Sequence, residues 1–210
     1  MRPGTVILVS GPADAPDHWQ RMNLDLPGSE IVTPLSDDTG RPYAVAWIAA
    51  VARPLHTLEL RGPLVMVGHG TAGPLLPALA RTQRAAGNVI GGYVFVDASL
   101  PRPGSPSHLD LIRAADQDLA DAAHTALHEP GHLWPPDAPR PRDHEFWAEK
   151  LPVAPDWPDA PCAYVHTGAG APGTGPTDFW ARSARSRDWA VWEDTMDTRL
   201  LAAVVDALPG

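Results

Sequence analysis

The sequence of 210 residues is poor in cysteine, in basic residues and in long apolar runs. Its one cysteine, Cys162, excludes a disulfide within the chain and argues against a redox role. It has 16 basic residues and 25 acidic ones, and the resulting formal charge of −9 argues against nucleic acid as a partner. No run approaches the roughly 20 apolar residues of a membrane span, and the N-terminus lacks the features of a signal peptide. We therefore expect a soluble, cytoplasmic protein with no membrane partner.

What the sequence does contain fits one domain. Hydrophobic residues make up 44% of the chain, which is enough for a buried core. Short apolar runs rich in β-branched residues alternate with stretches of helical periodicity. Strands are predicted at 5–10, 64–67, 89–96 and 162–166, and helices at 43–58 and 75–80. Pro42, directly before the first of these helices, is interpreted as its first helical residue. This alternation predicts an α/β fold, a mostly parallel sheet with helices on both faces.

The pattern changes between about 105 and 157. Apolar residues first keep a helical spacing, and prolines then accumulate. Aromatic residues in this stretch, among them Trp134, need a surface to bury against. We interpret the stretch as a cap inserted above the sheet. The alternative is a long surface connection whose aromatic residues pack into the domain.

The segment 64–73 has the layout of a strand, a sharp turn and the start of a helix. This is the layout of a G-x-S-x-G nucleophile elbow, in which the turn exposes a serine for attack on an acyl carbon. Here the motif is Gly68-His69-Gly70-Thr71-Ala72. Gly70 stands at the nucleophile position and has no side chain that can attack.

Five segments in order resemble the α/β-hydrolase superfamily, in particular its small members with a reduced cap. They are residues 6–12 with Trp19, the elbow, and residues 92–101, 157–165 and 188–193, followed by a closing helix at 200–208. The resemblance covers nearly the whole chain. It implies a single α/β-hydrolase-like domain, residues 1–210, with the cap inserted at about 105–157.

The resemblance also implies a serine, a histidine and an acid acting together, and this chain departs from that pattern. Gly70 replaces the serine. The family places its base after the last strand, but no histidine follows His166. At most one member of the triad is retained, an acid at a position such as Asp97. We therefore expect no serine hydrolase activity.

The remaining polar residues near predicted strand ends define the candidate site. His69, Asp97 and His166 are the catalytic candidates, because ligands of open α/β sheets bind at the carboxyl ends of the strands. Each candidate also has a purely structural interpretation. His69 would pack beneath the turn, and Asp97 and His166 would cap an element or bond to a loop. Main-chain amides near the first strand and the elbow would hold an oxyanion. The substrate-binding candidates are Gly11, Pro12, Trp19, Gly70, Thr71, Ser99 and Trp134.

The stretch His128-Glu129-Pro130-Gly131-His132 matches the H-E-x-x-H zinc motif. That motif needs both histidines on one helix, which Pro130 and Gly131 disfavour. His124 and His128 lie four residues apart on a predicted helix, so metal binding remains an alternative to a solvated polar helix face. We prefer the solvated face and predict neither a metal nor a cofactor.

We favour a non-hydrolytic biosynthetic enzyme that holds a hydrophobic small molecule beneath the cap and promotes its cyclisation, elimination or rearrangement. Such chemistry needs orientation and one or two acid–base groups rather than a nucleophile. A binding protein that holds a ligand without turnover is the first alternative. A zinc-dependent hydrolase that uses the cap histidines is the second. The sequence leaves the substrate and the oligomeric state open.

Overall fold

The computed structural model describes residues 3–35, 40–129 and 131–209. Within these residues, six strands form one sheet and seven α-helices surround it. The strands are β1 (Thr5–Val9), β2 (Glu30–Val32), β3 (Leu64–His69), β4 (Ile90–Val96), β5 (Cys162–His166) and β6 (Ala190–Glu193). The helices are α1 (Tyr43–Leu55), α2 (Leu76–Ala85), α3 (His108–Ala115), α4 (Gln117–Leu127), α5 (His144–Ala148), α6 (Thr177–Arg185) and α7 (Thr198–Ala207). Two short 3-10 segments lie at Gln20–Met22 and Gly70–Leu75.

The strand order is β2-β1-β3-β4-β5-β6, and every neighbouring pair is parallel. From β1 the chain first adds β2 on one side, and then adds β3 on the other side of β1. The strand order therefore reverses between β1 and β3. At such a point the loops after the two strands part and leave a crevice where open α/β sheets bind ligands. The loop after β1 and the turn that begins at Gly70 border this crevice.

The two faces of the sheet are buried by different helices. One face carries Ile7 and Phe95 and packs against α1, α2 and α6. The opposite face carries Val6 and Val94 and packs against α7. Burial on both faces explains why the strands are nearly continuous apolar runs. The predicted α/β fold, with a parallel sheet covered on both sides, is confirmed.

Three helices, α3 to α5, occupy the segment between β4 and β5. They bury a cluster of their own that includes Trp134, Phe146 and Trp147. Ala13, in the loop after β1, belongs to the same cluster. The guanidinium of Arg142 also donates hydrogen bonds to the carbonyl oxygen of Pro12. The segment is therefore packed against the loop that borders the crevice.

In the described part of the chain, no helix is both long and apolar enough to cross a membrane. The first helix also begins one residue later than the sequence suggests. Pro42 is its N-cap, with extended backbone, rather than its first helical residue. The difference is small because Pro42 lacks the N–H that a helix interior would need in either case.

Candidate active site

A cavity of about 310 Å³ opens at the carboxyl ends of the strands. The loops after β1, β4, β5 and β6 and the last residue of β3 contribute to its wall, and Pro139 comes from the segment between β4 and β5. Most of the wall is apolar, formed by Ala15, Met22, Val96, Pro139, Ala169, Gly170, Pro172 and Met196. The polar residues of the wall are Asp14, His18, Arg21, His69, Asp97 and Thr167. The cavity therefore suits a largely apolar molecule with a few polar contacts.

His69 and Asp14 form a buried pair at this cavity. His69 is the last residue of β3, and Asp14 lies in the loop after β1, so the two flank the point where the strand order reverses. Nδ1 of His69 lies 2.8 Å from Oδ2 of Asp14, and the two side chains are 8% and 2% exposed. The amide of Gly11 donates to the same carboxylate oxygen at 2.6 Å. Because Nδ1 faces Asp14, Nε2 is the ring nitrogen left for a molecule in the cavity.

Asp14 controls the protonation of His69. Burial by itself lowers the pKa of His69, but the charge and hydrogen bond of Asp14 outweigh burial, and Asp97 adds to their effect. The pKa of His69 is therefore raised above its ordinary value of 6.5. The ring of His18 stacks on His69 with a centroid separation of 4.0 Å. Burial and the adjacent His69 lower the pKa of His18 to about 4. Of the two stacked rings, His69 is thus the one that binds a proton more tightly.

Asp14 also fills the space next to Gly70. Gly70 has a φ of +59°, a left-handed conformation that favours glycine. A β carbon built on Gly70 would lie 3.0 and 3.1 Å from the two carboxylate oxygens of Asp14. It would also lie 3.1 Å from the β carbon of Ala171. The Asp14 carboxylate therefore stands where a side chain at position 70 would begin.

No protein-family model matches this sequence, and no curated protein matches it either. Solved structures do match it along its whole length. An extracellular α/β-hydrolase from a Paenibacillus species is 18% identical, with a TM-score of 0.62 over 99% of this chain and 100% of that one. Polyneuridine aldehyde esterase is 13% identical, with a TM-score of 0.57 over 98% of this chain and 99% of that one. A methylesterase from Arabidopsis is 16% identical, with a TM-score of 0.55 over 97% of this chain and 98% of that one.

The protein has an α/β-hydrolase fold. This confirms the resemblance seen in the sequence. At these identities the likeness establishes the fold, and the activity has to be argued from the site.

In this α/β-hydrolase fold, one of the amides expected to hold an oxyanion, that of Gly11, is already engaged. The Gly11 amide donates to Asp14. A β carbon on Gly11 would lie 2.8 Å from the amide nitrogen of Thr71 and 2.5 Å from its hydroxyl oxygen, so Gly11 packs directly over the elbow amide. The Thr71 hydroxyl, which is fully buried, accepts from the amide of Ala13 at 3.3 Å. An oxyanion would have to displace Asp14 to reach the Gly11 amide.

Of the three catalytic candidates, two share the cavity. His69 and Asp97 both line it. Asp97 is fully buried, has a positive φ of 43°, and accepts hydrogen bonds from the amide and hydroxyl of Thr167. His166 is not among the lining residues, but its Nδ1 lies 3.4 Å from Asp97 and 3.1 Å from the hydroxyl of Thr177. Asp97 therefore adds a negative charge near His69 and also ties down the loop after β5.

The other binding candidates are not among the residues that line the cavity. Trp19 is 2% exposed, and its ring packs edge-on against His69 with centroids 6.1 Å apart. Ser99 is 1% exposed, and its carbonyl contacts the backbone at Gly73. Trp134 packs on Trp147 between β4 and β5, with ring centroids 4.8 Å apart. Of these three residues, Trp19 thus contacts a side chain of the cavity wall.

Asp14 was not predicted from the sequence, because only the tertiary structure brings it to His69. Nothing local marks an aspartate in a loop as the partner of a histidine 55 residues later. The available signal was its position three residues after Gly11, at the carboxyl end of the first strand. Once β1 and β3 are neighbours, polar residues that follow them must meet at one edge of the sheet.

The H-E-x-x-H stretch does not form the helix that its zinc motif requires. α4 ends at Leu127, His128 is its C-cap, and Gly131 has a φ of +81°. Pro130 lies outside the described residues. Nδ1 of His128 is bonded to the carbonyl oxygen of His124 at 2.9 Å. Among the described residues, no group of three or more His, Cys, Asp or Glu side chains is arranged to hold a metal ion.

Proposed function

We propose that this protein is an enzyme that acts on a small hydrophobic molecule by acid–base catalysis, without a serine nucleophile. Elimination, cyclisation and rearrangement are the reactions that such a site supports. The observation that carries the proposal is the buried pair of His69 and Asp14 on an apolar cavity, at the crevice of the sheet. Cyclisation and rearrangement also gain from the confinement of an apolar substrate in one conformation.

In the proposed mechanism His69 is the base. Its Nδ1–H donates to Asp14, which fixes the tautomer and leaves the lone pair of Nε2 toward the cavity. Nε2 takes a proton from a carbon or hydroxyl of the substrate, and Asp14 stabilises the imidazolium that forms. Loss of a leaving group from the resulting anion completes an elimination. Return of the proton to another atom of the same anion completes an isomerisation.

The geometry supports this chemistry better than ester hydrolysis through an acyl-enzyme. That route needs a nucleophile beside a base and amides that hold an oxyanion. Position 70 has no side chain, and the Gly11 amide is bonded to Asp14. The esterases that share the fold therefore support an enzyme in this case without supporting their reaction.

The test uses 5-nitrobenzisoxazole, a planar apolar probe whose ring opens when a base removes its one acidic C–H. The base takes the proton, the N–O bond breaks, and a nitrile and a coloured phenolate form. We expect the protein to accelerate this opening, and His69→Gln to reduce the acceleration by at least about 100-fold. We also expect the rate to rise with pH, with a midpoint above 6.5, because neutral His69 is the active form.

His124→Gln is the matched control, since His124 is an exposed histidine on α4. It should keep the full rate. Equal rates of ring opening for the unaltered protein and His69→Gln would contradict the proposal and favour a binding protein without turnover. A fast release of nitrophenol from p-nitrophenyl acetate that depends on His69 would favour a hydrolase instead.

A further inference from the structure

A second cavity, of about 460 Å³, lies on another part of the surface and shares no lining residue with the first. Three segments form it: residues 101–104 after β4, residues 153–155, 157 and 158 before β5, and the turn that carries Arg187 and Trp189 before β6. Its walls are prolines, aliphatic side chains, two indole rings and two arginines. Among the described residues that line it, none is acidic.

Arg187 and two tryptophans form the polar end of this cavity. The guanidinium carbon of Arg187 lies 5.2 Å from the ring centroid of Trp189 and 5.6 Å from that of Trp157. The two indoles meet edge to face, with centroids 5.4 Å apart. Both rings also pack on Phe95 of β4, Trp189 by stacking and Trp157 edge to face, so the aromatic group is anchored to the sheet. Cation–π contacts of this kind hold a guanidinium in place but do not neutralise it.

The charge of Arg187 has no counter-ion in the described structure. Its Nη1 atom is buried without a hydrogen-bond partner, and so is Nε1 of Trp157. Arg102 is a second cation at the cavity, and burial together with Arg102 lowers the pKa of Arg187. The nearby Asp159 is already bonded to Arg84 at 2.7 Å. A partly desolvated guanidinium without an anion is costly, and an incoming carboxylate would relieve that cost.

We propose that this cavity is a binding site for a small planar aromatic carboxylate. The carboxylate pairs with the guanidinium of Arg187, whose planar fork suits two parallel hydrogen bonds. The aromatic body of the ligand lies against Trp157, Trp189 and the proline wall. Arg102 adds a second positive charge at the rim. This site is independent of the acid–base chemistry at His69.

The test compares 2-naphthoate with 2-naphthamide, which has the same shape but no charge, by isothermal titration calorimetry. We expect naphthoate to bind at least tenfold more tightly than the amide. Arg187→Gln should remove that preference. The matched control is Arg185→Gln, because Arg185 is exposed at the end of α6 and pairs with Glu193 on the surface. It should keep the preference, and Arg187→Gln should keep the benzisoxazole activity, so the two sites are tested separately.

Equal binding of the acid and the amide would overturn the proposal. So would equal naphthoate affinity in the Arg187→Gln and Arg185→Gln variants, or a loss of naphthoate binding in His69→Gln. If Arg187→Gln does not fold, Arg187→Lys keeps the charge and loses the planar fork. It should then bind naphthoate at least threefold more weakly than the unaltered protein, and unchanged affinity would count against the site.

Discussion

Residue 70 and residue 14 depend on each other. Asp14 can lie against the elbow because Gly70 has no β carbon, and its carboxylate can then reach His69 and the Gly11 amide. Any larger residue at position 70 would have to share that space. The glycine is therefore part of a site that Asp14 and His69 complete, rather than only the loss of a nucleophile.

We expect Gly70→Ser to destabilise the protein and to give no esterase. Its β carbon would lie 3.0 Å from a carboxylate oxygen, and a φ of +59° is strained for serine. Together these effects should lower the free energy of unfolding by about 2–4 kcal/mol in chemical denaturation. Gly87→Ser is the control, because Gly87 has a φ of +89° with no atom within 4 Å and so measures backbone strain alone. Equal losses in the two variants would show that Asp14 does not crowd position 70.

Asp14→Asn should lower the pKa of His69. The charge and hydrogen bond of Asp14 are what raise the pKa above 6.5 against burial, so without them burial should bring it below that value. The imidazole signals of His69 in an NMR titration measure the change directly. Asp17→Asn, in the same loop but exposed and paired with Arg21, should leave the pKa of His69 above 6.5. A raised pKa that persists in Asp14→Asn would assign the effect to another group.

At the level of elements, the segment that carries α3 to α5 packs on the loop after β5 at Gly173. Trp147 of α5 is fully buried, and its indole N–H donates to the carbonyl oxygen of Trp134 at 2.8 Å. The ring lies on Gly173, in the loop after β5, where a β carbon would come within 2.0 Å of it. That loop also supplies Ala169, Gly170 and Pro172 to the first cavity. The fit of Trp147 on Gly173 therefore helps to place one wall of the site.

Gly173→Ala should accordingly be more harmful than an alanine elsewhere in the same loop. We expect an additional loss of about 1–3 kcal/mol in the free energy of unfolding, because the methyl group must push Trp147 aside. Gly168→Ala is the control: its φ of +77° resembles the +72° of Gly173, but nothing lies within 4 Å of its β carbon. Thermal unfolding of both variants gives the comparison. Similar midpoints would mean that this contact is not tight in solution.

The sequence predicts elements well where the apolar pattern is strong. β1, β3, β4 and β5 are runs buried on both faces, and their apolar residues identify them directly. β2 was missed because Glu30–Val32 is a three-residue edge strand that is only partly buried. α6 was missed because it follows a stretch of glycines and prolines. Its buried residues Trp180, Ala181 and Ala184 cover one face only.

Local apolar patterns likewise predicted only some of the residues of the candidate site. His69 and Asp97 were predicted because each ends or follows an apolar strand, and the carboxyl ends of parallel strands share one edge. Asp14 follows such a strand too, but its contact with His69 depends on strand order, which local patterns do not encode. The cavity at Arg187 depends on three loops meeting, and no motif marks any of them.

Over the whole molecule, the histidines whose pKa is shifted divide into two kinds. His18 and His108 are neutral in the folded protein, because burial lowers the pKa of His18 to about 4 and that of His108 to about 3. The pKa of His69 is raised by Asp14. Asp110 and Asp178 have lowered pKa values and lose their contribution only below their ordinary value of 3.8. Between pH 4 and 8 we therefore expect these three histidines to contribute to the effect of pH on stability.

We expect stability to be greatest near pH 6.5 and to fall on both sides. As pH drops from 6.5 toward 4, the unfolded chain binds protons at His18 and His108 that the folded protein does not bind. The free energy of unfolding therefore decreases. His108 alone should account for up to about 1.4 kcal/mol per pH unit. As pH rises through the folded pKa of His69, the stability supplied by protonated His69 is lost instead.

Urea denaturation at several pH values separates the two limbs. His108→Phe keeps a ring against Phe146, whose centroid lies 5.0 Å away, and removes the titrating group, so it should flatten the acid limb. Asp14→Asn should remove the alkaline limb, because the pKa of His69 then no longer exceeds its unfolded value. His124→Gln removes only an exposed histidine and should alter neither limb. An unchanged acid limb in His108→Phe would mean that the folded state does not lower the pKa of His108, and that His18 or another group causes the loss of stability in acid.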